Sequence, residues 1–108
     1  MYSSNDVNRY TIERAAMVRQ QLAARDITNP AVLRVMGQIP REEFLTSEYR
    51  YAAYEDRPLP IGMGQTISQP YIVALMTQLL QLSEDDVVLE IGTGVGYQTA
   101  ILAALAGR

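Results

Sequence analysis

Residues 87–97 read Val-Val-Leu-Glu-Ile-Gly-Thr-Gly-Val-Gly-Tyr, the pattern in the chain best suited to holding a ligand. Gly92, Gly94 and Gly96 alternate with other residues. Backbone there can come close to a bound group with no Cβ in the way. Residues 97–105 are good helix formers, and the N-terminus of such a helix offers unpaired N–H groups to a polar or anionic moiety. Val87, Val88, Leu89 and Ile91 form a short β-branched run that predicts a buried strand of the parallel kind over 87–91. Strand, glycine turn and helix make half of a nucleotide-binding α/β unit. The plainer alternative is a buried strand and a tight turn with no ligand.

The turn departs from the dinucleotide fingerprint G-x-G-x-x-G/A, because Tyr97 stands where a small third residue belongs. The pattern is E-x-G-x-G-x-G, with Glu90 just before the turn. A carboxylate there suits a ligand carrying a positive amino group better than a pyrophosphate. A phosphate loop of the G-x-x-x-x-G-K-[ST] kind is excluded because the chain has no lysine. The motif therefore favours S-adenosylmethionine over NAD or ATP. Histidine and cysteine are absent as well, which removes Ser-His-Asp catalysis, thiol chemistry, disulfides and the usual zinc sites.

The 108 residues, 48% of them apolar, suffice for one small globular domain with a modest core. All nine basic residues are scattered arginines and the net charge is -3, so nucleic acid is not an expected partner. The apolar runs are too short to span a bilayer, and the first residues carry neither a basic flank nor an apolar block. A cytoplasmic protein with no membrane partner is the expectation.

Several elements must position these residues. Ser3, Ser4, Asn5 and Asp6 offer caps for a helix running to about Arg25, with Ile12, Ala15, Ala16, Arg19, Leu22 and Ala23 outlining one weakly apolar face. Thr28 or Asn29 caps a second helix with Pro30 at its first position and Val32, Leu33, Val35 and Met36 on its buried side. Gly37 and Pro40 stop it. Arg41, Glu42 and Glu43 open a further turn and read as a solvated face. Tyr49, Tyr51 and Tyr54 could stack on a ligand, but suit the edge of a core better. From 55 to 68 the spacing of Pro58, Pro60, Gly62 and Gly64 shows neither helical nor strand periodicity, and predicts a long functional loop. Ser68 reads as a helix cap. Ile72, Leu75, Met76, Leu79 and Leu80 then form the clearest helical stripe in the chain. Residues 83–86 make a polar turn into strand 87–91.

Three stretches together resemble the protein-L-isoaspartate (D-aspartate) O-methyltransferase family. They are Ile39-Pro40-Arg41-Glu42-Glu43-Phe44, the segment Pro-Leu-Pro-Ile-Gly-Met-Gly-Gln-Thr-Ile-Ser-Gln-Pro at 58–70, and residues 88–100 with the glycine turn. Residues 17–22 fit the family's first helix. The turn is common to most methyltransferases of this fold, whereas Gln65-Thr66-Ile67-Ser68 is specific. Val95 departs mildly from the serine the family often has.

The resemblance implies an α/β fold: an N-terminal helical region over 1–82 with an active-site loop at 55–68, then the start of a Rossmann-like S-adenosylmethionine-binding domain over 83–108. It implies methyl transfer to isoaspartyl residues of damaged proteins, for repair. It places the active-site serine at Ser68, substrate contacts at Thr66 and Ile67, and the cofactor turn at Glu90, Gly92, Thr93, Gly94 and Gly96, with no metal. The chemistry agrees: a carboxylate is already ionised at pH 7 and needs no general base, so a site without His, Cys or Lys suffices. The family is considerably longer. Its next strand, with an acid for the ribose hydroxyls, has no counterpart before Arg108. The chain is therefore expected to be the N-terminal part of such a protein, or to pair strand 87–91 with another chain and self-associate, leaving the helix faces at 69–82 and 97–105 bare. Another methyltransferase of the same fold is the neighbouring alternative, and a non-catalytic helical interaction module is the alternative from a different class.

Overall fold

Ser3 and Asp6 begin the first helix by satisfying each other's backbone. The Asp6 N–H donates to Ser3 Oγ at 3.1 Å and the Ser3 N–H to Asp6 Oδ2 at 3.2 Å. The computed structural model, which describes residues 3–83, 85–88 and 96–106, carries this helix, α1, over Ser4–Met17. It continues into a π-helical turn over Val18–Ala23, where the Ala24 N–H reaches back to the Arg19 carbonyl at 3.1 Å. The buried positions are Tyr10, Met17 and Leu22, while Ile12 is 69% exposed. The inner face is thus rotated from the one the apolar spacing outlines. It includes Arg14 and Gln21, whose side chains bond Tyr54: Arg14 Nε to its hydroxyl and Gln21 Nε2 to its carbonyl, both at 2.7 Å.

Asn29 caps α2 (Pro30–Met36), its Oδ1 accepting from the Ala31 and Val32 N–H groups. Val32, Val35 and Met36 are buried. Two 3₁₀ turns follow, Arg41–Phe44 and Arg50–Ala52. The segment expected to be a loop at 55–68 contains an antiparallel hairpin instead, β1 (Leu59–Gly62) and β2 (Gln65–Ile67), with Leu59 opposite Ile67 and Pro60 opposite Thr66. Met63 and Gly64 turn it with both φ angles positive, the handedness that matches the twist of paired strands. Pro60 is tolerated because a two-stranded ribbon has only edges. Leu59 and Ile67 point into the core.

Helix α3 (Pro70–Leu80) has Gln69, not Ser68, as its cap residue, and Pro70 at its first position. It buries Pro70, Val73, Ala74 and Thr77, an i, i+3, i+4, i+7 set of small side chains that lets the helix sit close to its neighbours. Its large apolar residues face outward, with Met76 59% and Leu79 70% exposed, and Ile72 and Leu80 exposed beside them. Gln78 ties α3 to the start of α2. Its Oε1 accepts from the Thr28 and Asn29 N–H groups at 2.8 and 2.9 Å. Ser83 and Asp86 close the polar turn through the Ser83 N–H to Asp86 Oδ2, 2.7 Å.

Helix α4 (Tyr97–Ala106) packs on α2 and buries Tyr97, Ile101, Leu102 and Leu105. Its apolar face is covered, contrary to the expectation of a bare face at 97–105. Gln98 Nε2 donates to the buried Thr77 hydroxyl at 2.7 Å and fastens α4 to α3. Of strand 87–91, Val87 and Val88 are described. Neither has regular structure, and Val87 is exposed. Residues 89–91 lie outside the described residues. The described architecture is α/β, with helices around a small two-stranded sheet. No helix among the described residues is long and apolar enough to cross a membrane.

Candidate functional site

Ser68 sits between β2 and α3, one residue past the strand and one before the helix cap. Strand alternation carries Thr66 and Ser68 outward and Ile67 inward. Thr66 and Ser68 are exposed, and Ile67 is buried in the core. The Ser68 side chain has no hydrogen-bond partner among the described residues, so it does not act as the helix cap. Its carbonyl accepts from Arg41 Nη2 at 2.9 Å. The next residue is held too: Gln69 Nε2 donates to Asp56 Oδ1 at 2.7 Å, and Asp56 is paired with Arg25. An exposed hydroxyl thus stands on a residue whose own carbonyl is held by a buried arginine, beside a residue whose side chain is tied to Asp56.

Arg41 and Glu42 belong to the 3₁₀ turn that reads as solvated, yet both are buried, Arg41 fully. What draws Glu42 inward is Arg14, 28 positions earlier, whose Nη2 lies 3.3 Å from both carboxylate oxygens. The Tyr54 hydroxyl donates to Glu42 Oε1 and accepts from Arg14 Nε (2.7 Å) and the Arg41 N–H (3.1 Å), which uses its one donor and both lone pairs. Burial, then the bond to Glu42, pushes the Tyr54 hydroxyl well above its ordinary pKa and keeps it protonated. Tyr54 therefore packs and bonds within the core edge, while Tyr51 is exposed.

The end of the glycine turn is described at Gly96, with φ at +91°, a conformation that L side chains rarely adopt. Its carbonyl accepts from the Ala100 N–H at 2.9 Å, which opens α4 directly. The Tyr97 ring is buried beneath the Arg41 guanidinium, 5.0 Å from carbon to ring centroid, and meets Phe44 edge-on at 5.5 Å. The residue that breaks the dinucleotide fingerprint is therefore a core residue. Glu90, Gly92, Thr93, Gly94 and Val95 lie outside the described residues. The structure brings Ser68 and Tyr97 together through Arg41, which the sequence reading placed on a solvated face. The signal that could have found it is weak: an arginine between Pro40 and Glu42 in a stretch ending in Phe44.

A family model described as protein-L-isoaspartate(D-aspartate) O-methyltransferase matches residues 12–108. The chain belongs to this family. Among protein-L-isoaspartate O-methyltransferases, that of Opitutus terrae is 59% identical over 95 residues, covering 88% of this chain and 41% of the relative. That of Koribacter versatilis is 51% identical over all 108 residues, 49% of its own length. The protein-L-isoaspartate O-methyltransferase 1 of Rhodopseudomonas palustris is 54% identical over 105 residues, covering 97% of this chain and 43% of the relative. The chain spans less than half the length of these curated methyltransferases.

Proposed function

We propose that the full-length protein transfers the methyl group of S-adenosylmethionine to the carboxylate of L-isoaspartyl and D-aspartyl residues in damaged proteins, as a step of their repair in the cytoplasm. The observation that carries this is the family match across 12–108, which includes both the Thr66–Ser68 segment and the glycine turn. Residues 83–108 begin a Rossmann-like cofactor domain, and 1–82 supply the acceptor side.

The residues fit the cofactor. Gly96 ends the turn at positive φ and α4 begins at once, and Glu90 ahead of the glycines offers a carboxylate suited to an amino group. Glu90, Gly92, Thr93, Gly94 and Gly96 would hold it. S-adenosylmethionine, when bound, supplies a methyl group on a sulfonium sulfur. The chain has to orient an acceptor oxygen that is already ionised, which is a task of proximity rather than proton transfer. Ser68 supports that task as an exposed hydroxyl on anchored backbone, with Thr66 beside it on the same face. Ile67 contributes backbone, its side chain being committed to the core.

Ser68→Ala in the full-length protein is expected to lower turnover of an isoaspartyl peptide by about 10–100-fold, roughly the value of one transition-state hydrogen bond, with cofactor affinity and thermal stability little changed. Loss of stability with normal turnover would assign the hydroxyl a structural role. If the full-length wild type does not bind S-adenosylmethionine in calorimetry, the non-catalytic interaction module becomes the better reading.

The 108-residue chain by itself is expected to self-associate, because Ile72, Met76, Leu79, Leu80 and Val87 leave an apolar surface uncovered. Sedimentation reads this directly, and a concentration-independent monomer would contradict it.

A further inference from the structure

None of the Arg41 surface is exposed. Burying a guanidinium is costly unless its donors are met, and among the described residues Arg41 has no salt bridge and its Nη1 has no hydrogen-bond partner. An apolar side chain of that size would fill the space without this penalty, so the charge and its planar fork point to a use beyond filling. The fork reaches three separate elements. Nε donates to the Ala53 carbonyl at 2.6 Å, Nη2 donates to the Ser68 carbonyl at 2.9 Å, and the plane lies over the Tyr97 ring. Phe44 meets that ring edge-on, 5.5 Å between centroids. Ser68 has the exposed hydroxyl of the proposed acceptor side, and Tyr97 follows Gly96 at the end of the glycine turn.

We propose that Arg41 is a positioning residue for methyl transfer: it ties the Ser68 backbone to Tyr97 and so sets the acceptor-orienting hydroxyl against the cofactor turn. This role rests on the methyl-transfer reading above. Lysine keeps the charge but is a point donor on a flexible stem. It lacks the Nε contact to Ala53 and the flat face that lies on Tyr97. The tether, not the charge, is what Arg41→Lys removes.

In the full-length protein, Arg41→Lys is expected to lower kcat on an isoaspartyl peptide by about 10–100-fold, the scale of an ångström-level misplacement. The dissociation constant for S-adenosylmethionine, read by calorimetry, should stay within about threefold, since a positioning loss falls on the reacting complex and not on ground-state binding. Amide hydrogen exchange should rise in both 66–69 and 96–100 and stay unchanged in Pro30–Met36, a pattern that needs no activity to observe. Should Arg41→Lys not fold, Tyr97→Leu reads the same tether from its other end, and Tyr97→Phe, which keeps the ring, should restore kcat. Unchanged kcat in an active background, or a loss wholly accounted for by the unfolded fraction, would overturn the positioning role alone. A wild type that binds S-adenosylmethionine yet methylates no isoaspartyl peptide would overturn the methyl-transfer reading and this role with it.

Discussion

Gly94→Val in the full-length protein is expected to abolish S-adenosylmethionine binding while leaving most of the fold in place. The alternating glycines of E-x-G-x-G-x-G let backbone lie against a ligand, and a β-branched side chain at the middle one would occupy that space. Gly96, next in the alternation, has φ at +91°, a conformation that side chains resist at that position. The fold should survive because α4 is anchored elsewhere, by Tyr97, Ile101 and Leu105 in the core and by Gln98 on Thr77. Calorimetry checks the binding and a thermal melt checks the fold. Unchanged affinity would contradict the assignment of the turn to the cofactor.

Glu42→Leu is expected to cost the full-length protein about 3–5 kcal/mol, the usual penalty for removing one partner of a buried ion pair. The side chains of Arg14 and Glu42 are only 13% and 5% exposed, so solvent cannot take over the role of the missing carboxylate. The Tyr54 hydroxyl would lose its acceptor in the same step. Glu42→Gln keeps an acceptor for Tyr54 and should cost less, about 1–3 kcal/mol. Arg14→Leu combined with Glu42→Leu should recover much of the loss, because no uncompensated charge then remains buried. Urea unfolding with an unchanged slope measures all three. A loss below about 1 kcal/mol for Glu42→Leu would match a solvated pair instead.

The features legible in the sequence are those set by neighbouring residues. Asn29 with Pro30 marks the start of α2 because capping acts over two or three positions. Gly96 followed by an apolar helix former marks the start of α4 in the same way. The Thr66–Ser68 segment was legible by resemblance, but its hairpin was not, because Pro58 and Pro60 mask the strand. The alternation of Leu59 and Ile61 into Gly62-Met63-Gly64 was the signal to weigh against them.

What depended on distant partners was not legible. Glu42 is buried because of Arg14 and Tyr54, and the inner face of α1 is partly polar for the same reason. In α3 the spacing of Ile72, Met76 and Leu79 identifies an apolar face, yet the chain buries the opposite one. Small residues there allow close packing on α2, with Gln78 and Thr77 supplying the bonds. Arg41 combines both difficulties, since the three groups its guanidinium meets lie 12, 27 and 56 positions away.

The proposed activity is a preference for one carboxylate over its near twin. The full-length protein, S-adenosylmethionine carrying a labelled methyl group, and two peptides identical except for an isoaspartyl or an aspartyl linkage provide the test. A base-labile methyl ester forming on the isoaspartyl peptide, and not on the aspartyl one, is the predicted result. Cofactor binding with label on neither peptide, or equal label on both, would contradict it.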